Sequence, residues 1–387
     1  MKKILAIVQH RKDRSPGQRF RFEQYMNYLQ ENGYEIVFSN IISEKDDKIF
    51  YSKGKYFSKF IIIIKSFFHR LKDIKIAKDC DIIFIYREAF MLGTIFFEKK
   101  FKKLGKKIIY DFDDAIWHND TSNANKNFAW LKNTKKTIKI CELADLVIVG
   151  NQFLADFALN YNKKVKIIPT TLNLNQNSIL KGIPINSDSH CGLEPQFPNL
   201  DVGGNVSTVQ QSKICIGWTG SDTTLKHFYQ AIPTLQKLKQ KYSDKIYFKV
   251  IANKYEKQSE FEVKFAEWNK ENETEELLEF DIGIMPLPDN EWSKGKCGFK
   301  GLQYISLKIP VVMSAVGVNN EIIKNGKNGF LANNEDDWLN YLSELIESPE
   351  LRNKIAEEGY KTVENNYSFN AWKDKYLEIF NKFTLLY

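Results

Sequence analysis

The chain has 387 residues, of which 43% are hydrophobic, 27% charged and 14% aromatic. That length suits two domains better than one, and so much apolar surface excludes a largely disordered chain. The net charge is +8, yet only 7 of the 56 basic residues are Arg; a nucleic-acid reader would favour arginine for base and phosphate forks, so no nucleic-acid partner is expected.

Lys3–Val8 is a continuous apolar run, which predicts a strand buried on both faces. It is too short for a secretory core. Helical spacing follows over Phe20–Asn32, stopping at Gly33, and Tyr34–Ser39 reads as a second strand. Lys53–Lys78 is a basic, apolar helical stretch. Asp81–Tyr86 and Lys107–Tyr110 are strands, with a helix over Phe90–Leu104 between them. Phe128–Leu143 is helical, and Leu146–Val149 and Val165–Ile168 are strands. Such alternation predicts a parallel sheet with helices on both faces.

Residues 173–212 are rich in Asn, Ser, Pro and Gly and read as a linker with an insertion. Alternation then restarts with strands at Ile214–Trp218, Ile246–Ile251, Val263–Trp268, Asp281–Met285 and Ile309–Met313. Helices are expected over Ala231–Tyr242, Glu271–Leu278, Phe299–Leu307, Asn320–Asn325, Trp338–Ile346, Pro349–Glu364 and Asn370–Phe383. The fold class is therefore α/β, with two Rossmann-like halves, 1–172 and 213–370, and a terminal helix over 371–387. Ligands of such sheets bind at the carboxyl ends of strands.

Four segments carry candidate chemistry. Gly295, Lys296, Gly298 and Lys300 lie between a strand and a helix, where backbone N–H groups and two lysines suit a diphosphate. Gly217-Trp218-Thr219-Gly220-Ser221 follows the first strand of the second half, but lacks the GxGxxG fingerprint. Asp111-Phe112-Asp113-Asp114 ends a buried strand; these carboxylates could bind a divalent metal, orient hydroxyls or act as a base. Arg11, Arg14, Arg19 and Arg21 are four of the seven arginines, and their clustering beside Gln18 suggests an anionic partner. Arg87-Glu88 stands at another strand end. Each segment also has a plain structural reading, as turn, cap or surface ion pair. The five cysteines (Cys80, Cys141, Cys191, Cys215, Cys297) form no CxxC and read as reduced cytosolic thiols. The histidines lie far apart, and no His/Cys metal site is expected.

The stretch Asp281–Asn328 resembles the bacterial group 1, family-four-like glycosyltransferases of GT-B architecture. The matching motifs are Phe280-Asp281-Ile282-Gly283-Ile284-Met285-Pro286, Phe299-Lys300-Gly301-Leu302-Gln303-Tyr304, Ile309-Pro310-Val311-Val312, Val316–Ile323 and Asn328-Gly329-Phe330-Leu331. Tyr367–Leu377 is similar to the family's terminal helix, which returns to the first domain. The resemblance implies two domains facing across a cleft, and sugar transfer from a nucleotide-sugar to a glycan or polyprenyl-linked acceptor in cell-surface polysaccharide assembly. It implies retention of configuration and no cofactor or metal. Donor contacts would come from Gly217–Ser221, Gly295, Lys296, Gly298, Phe299, Lys300 and Gln303. Asp113 and Asp111 would be catalytic, with Asp113 standing for the family's histidine. Arg14, Gln18, Arg19, Arg87 and Glu88 would meet the acceptor. Gly295 and Gln303 stand where many members carry paired glutamates. The alternatives are a metal-dependent transferase using Asp111 and Asp113, a nucleotide-sugar epimerase, and a non-catalytic sugar-nucleotide or glycan binder. The basic, aromatic stretch Lys53–Lys78 adds an expectation of peripheral attachment to an anionic inner membrane face.

Overall fold

The computed structural model describes residues 1–118, 133, 135–174, 213–221, 223–257 and 260–384. Two compact units emerge. One comprises Met1–Thr171, Asn290–Cys297 and Tyr367–Tyr387; the other comprises Leu172–Asp289 and Gly298–Asn366. The linker expected over 173–212 lies outside the described residues from 175 onward, as does the start of the helix expected at Phe128.

The first unit holds a parallel sheet of β1 (Lys2–His10), β2 (Tyr34–Ile42), β3 (Ile82–Tyr86), β4 (Lys107–Phe112), β5 (Leu146–Val149) and β6 (Val165–Ile167), in the order β2-β1-β3-β4-β5-β6. Alternate side chains feed two cores. Leu5, Ile7, Ile83 and Ile85 face one, and Ile4, Ala6, Val8, Ile82 and Phe84 the other. The helix Phe369–Thr384 closes the second core: Tyr376 stacks on Tyr25 at 4.1 Å, and Tyr34 donates to Asn381 Oδ1 at 2.9 Å. The terminal helix thus packs on the first unit, as its resemblance implied.

The second unit holds β7 (Ile214–Thr219), β8 (Ile246–Ala252), β9 (Val263–Glu267), β10 (Ile282–Met285), β11 (Val311–Ser314) and β12 (Phe330–Ala332), in the order β12-β11-β10-β7-β8-β9, again all parallel. Strand order reverses between β1 and β3 in one sheet and between β7 and β10 in the other. Such switch points open crevices at the carboxyl ends of the strands.

Several helices differ from expectation. Phe20–Asn32 is not one helix but Pro16–Arg21, a 3₁₀ turn Glu23–Tyr25, and Met26–Glu31, because Phe22 leaves helical geometry (φ −131°, ψ −49°). The helix expected from Phe90 begins only at Phe96. The buried ammonium of Lys136 draws the carbonyls of Phe90 and Leu92 to itself, the latter at 2.8 Å, and removes them from any helical ladder. The helix Leu225–Tyr242 starts six residues before the expected Ala231 and carries Pro233 inside it.

Candidate active site

In the first unit the ends of β1, β3 and β4 gather most of the charge that the sequence singled out. Arg87 follows β3 in a left-handed conformation (φ +61°). That geometry costs a non-glycine residue about 1 kcal/mol or more. It is held by Arg87 N–H donating to Asp111 O at 2.8 Å and by Tyr110 donating to Arg87 O at 2.8 Å. The guanidinium then reaches both carboxylates that follow β4. Nε and Nη2 meet Asp113 Oδ1 at 3.0 and 2.7 Å, and Nη2 meets Asp114 Oδ2 at 2.5 Å.

Asp113 Oδ1 also accepts from the Tyr86 hydroxyl at 2.8 Å, while Oδ2 lies against Gly17. A Cβ at Gly17 would stand 2.6 Å from that oxygen and 2.1 Å from the Tyr86 oxygen, so only glycine allows the approach. Burial raises the Tyr86 hydroxyl well above its ordinary pKa, which keeps it a donor.

The segment Asn290–Cys297 docks onto these strand ends. Lys296 Nζ pairs with Asp114 Oδ1 at 2.8 Å and lies 3.7 Å from the centre of the Trp292 ring. Asn151 caps the helix Gln152–Leu159 through Oδ1 and donates to Lys296 O at 2.9 Å. Cys297 Sγ donates to Asp113 O at 3.0 Å. Burial pushes this thiol up to about 12, so it is not a nucleophile. Burial alone would raise the Asp114 carboxyl, but Lys296 and Arg87 outweigh it and hold it below the usual range. A cavity of about 230 Å³ opens here, lined by Gln9, Arg87, Glu88, Asp114, Lys136 and Lys296 among others.

Several expected site residues sit elsewhere. Asp111 is 1% exposed, and both of its oxygens are taken by the buried Arg21 guanidinium, which also donates to Ile168 O. It has no route to a substrate, so the catalytic expectation for Asp111 is corrected to a structural ion pair. Gln18 is fully buried; it clips the loop after β1 by donating to His10 O at 2.9 Å, and it does not face an acceptor. Arg14 is engaged by Asp47 at 2.5 Å, and Arg19 lies over the Phe20 ring at 4.3 Å. Glu88 accepts from Gln9 at 2.6 Å and Lys136 at 2.9 Å, on the cavity wall with Arg87. Sequence reasoning missed Tyr86, Gln9, Lys136 and Asn151. Gln9 and Asn151 could have been found, since each lies at the carboxyl end of a strand.

In the second unit, Gly217 and Trp218 belong to the core. A Cβ at Gly217 would enter the Phe280 ring, and Trp218 is 1% exposed. Only their backbone would be open to a donor contact. Thr219 N–H donates to the Tyr304 hydroxyl at 2.8 Å, and Gly220 N–H to Ile251 O at 3.0 Å. Ser221 is exposed at the loop's tip, while Asp222 lies outside the described residues. Gly298 (φ +66°) opens the helix Phe299–Ser306, and Lys300 in its first turn lies 5.6 Å from the Trp218 ring centre. Gln303, 9% exposed, lies one turn further along, and Phe299 is half-buried. The chain therefore divides the expected donor loop: Gly295 and Lys296 join the first unit, Gly298–Gln303 the second.

Residues 226–362 match the family described as glycosyl transferases group 1. The fold is GT-B in type. The chain is similar to the sucrose-phosphate synthase of Thermosynechococcus elongatus (12% identity, all of both chains, TM-score 0.66). It is also similar to a glycosyltransferase of Rickettsia africae (15%, 100% of this chain and 99% of that one, 0.63) and to Anabaena HepE, solved with UDP-glucose (13%, 99% and 100%, 0.62). No curated protein matches the chain.

One expectation concerns acid. His10 sits beside this site with Nδ1 buried and no hydrogen-bond partner among the described residues. Burial, aided by Arg14, pushes its pKa down to about 4. A depressed folded-state pKa means that the neutral ring's contribution is complete above the unfolded value of about 6.5 and is lost as pH falls towards 4. Melting temperature should therefore decline between those values, and His10→Gln should flatten that part of the profile in a pH series of thermal melts.

Proposed function

We propose that this chain is a retaining, metal-independent hexosyltransferase. It moves a sugar from a UDP-sugar to a glycan or polyprenyl-linked acceptor at the cytoplasmic face of the membrane, during cell-surface polysaccharide assembly. The match of residues 226–362 to the group 1 family carries the reading, and the UDP-glucose held by HepE supports the donor class. The chemistry needs the leaving diphosphate stabilised as the glycosidic bond breaks. The helix Phe299–Ser306 offers N-terminal N–H groups behind Gly298, with Lys300 in its first turn. Asp113, with one oxygen fixed by Tyr86 and Arg87, would hold a sugar hydroxyl with the other. Arg87, Glu88 and Lys136 would meet the acceptor in the cavity beside it.

Independence from metal is supported by what the acidic run touches. Arg21 takes Asp111, Arg87 takes Asp113, and Arg87 with Lys296 takes Asp114, so each carboxylate already has a fixed cation. UDP release from a panel of UDP-sugars, with and without lipid-linked glycan, tests the proposal. Turnover should require an acceptor and should persist in EDTA. EDTA loss restored by magnesium or manganese would reject the metal-free reaction. Failure of every UDP-sugar both to turn over and to raise the melting temperature would reject the donor class.

A further inference from the structure

The helix Tyr56–Ile76 packs Ile63, Phe67, Leu71 and Ile74 against the core, yet its most deeply buried face is largely polar. Its buried stripe is Lys59, Ile62, Ser66, Arg70 and Asp73, spaced at one helical face and mostly polar. Arg70 explains why. It is fully buried and donates to Val8 O at 2.5 Å, Ala89 O at 2.6 Å and Asp73 at 2.7 Å, thereby satisfying carbonyls at strand and loop ends. Ser66 donates to Ile41 O at 3.3 Å.

The opposite stripe is left facing water. Phe57 is 77% exposed, Phe60 57%, Ile61 38%, Ile64 41% and Phe68 59%, at steps of three, one, three and four residues. Phe96, 38% exposed and stacked on Phe67, extends the patch onto the adjoining helix Phe96–Lys103. Scattered exposed apolar residues need no explanation, but a contiguous aromatic stripe marks an interaction surface.

Charge selects the occupant. Lys53, Lys55, Lys65, Lys72 and Lys75 are exposed around the stripe, and Lys99, Lys100 and Lys103 are exposed on the adjoining helix. Between residues 51 and 78 the sole carboxylate is Asp73, which is buried. Self-pairing across a two-fold axis would set these lysines against one another. No helix among the described residues is long and apolar enough to cross a membrane. We propose that this face docks on an anionic lipid bilayer, with Phe57, Phe60, Ile61, Ile64 and Phe68 entering the boundary between headgroups and acyl chains and the lysines meeting lipid phosphates. It gives a structural basis to the membrane location in the functional reading, yet it does not depend on transferase activity.

The test is flotation of the full chain with vesicles of phosphatidylcholine alone and of phosphatidylcholine mixed with phosphatidylglycerol. Wild type should float with the anionic vesicles and much less with the neutral ones. The variant Phe57→Ser/Phe60→Ser/Phe68→Ser should lose at least about tenfold in partitioning. Its melting temperature and its activity on soluble substrates should be unchanged, because all three rings lie outside the core. A separate Phe57→Trp variant should show fluorescence quenched by brominated lipid. Absence of flotation on anionic vesicles overturns the proposal, as does flotation that survives loss of the three rings. A dimer in sedimentation that the triple variant abolishes, without vesicle binding, would assign the face to a second copy instead.

Discussion

Lys300→Ala is expected to lower kcat/KM for the UDP-sugar by about 10²–10³-fold, the range for losing one preorganised charge contact to a developing anion. The lysine stands in the first turn of the helix Phe299–Ser306, whose N-terminal N–H groups favour the same negative charge. Most of the loss should fall on kcat, because leaving-group charge is larger in the transition state than in the bound donor. UDP should also raise the melting temperature of the variant less than that of wild type, whereas uridine should stabilise both equally. Lys300→Arg should recover part of the rate. A variant working close to the wild-type rate would remove Lys300 from the diphosphate site. Lys296 makes the internal comparison: its ammonium is already committed to Asp114, so Lys296→Ala should disturb the first unit's strand ends more than UDP binding.

The two sheets were legible because buried parallel strands announce themselves as short apolar runs, and Lys3–Val8, Leu146–Val149 and Asp281–Met285 needed no partner information to be recognised. Helix boundaries were less so. The break at Phe22 follows local backbone geometry, and the late start at Phe96 follows from an ammonium forty residues away at Lys136. Neither cause is periodic. The site was legible as a set of strand-end loops, since topology places those together. The pairing of charges within it was not legible, because the two-residue spacing of Asp111 and Asp113 would put both on one face of a strand, whereas β4 ends at Phe112 and Asp113 already belongs to the loop. One meets a buried arginine, the other a crevice. The helix Tyr56–Ile76 is apolar over most of its circumference, so spacing alone cannot say that Ile63, Phe67, Leu71 and Ile74 face the core while Phe57, Phe60, Ile61, Ile64 and Phe68 face water. Arg70, satisfying carbonyls from three segments, decides it.

Asp111 and Asp113 should consequently fail in different ways when altered. Asp111→Asn and Arg21→Ala are each expected to destabilise the chain by about 3–5 kcal/mol, because each leaves its partner as an uncompensated charge in the core. Arg21 and Asp111 side chains are both 1% exposed, so water cannot take the missing partner's place without opening the unit. Arg21→Ala also strips the donor from Ile168 O. Urea denaturation should show the loss as a lower midpoint with an unchanged slope. Asp113→Asn should leave the midpoint nearly unmoved. The amide oxygen still accepts from Tyr86, and Arg87 keeps Asp114. Its sugar-transfer rate should nonetheless fall by about a hundredfold, the lower end for removing a positioned acid–base or hydroxyl-holding group. The opposite pattern, a stable but inactive Asp111→Asn beside a fully active Asp113→Asn, would move the reacting centre from Asp113 to Asp111.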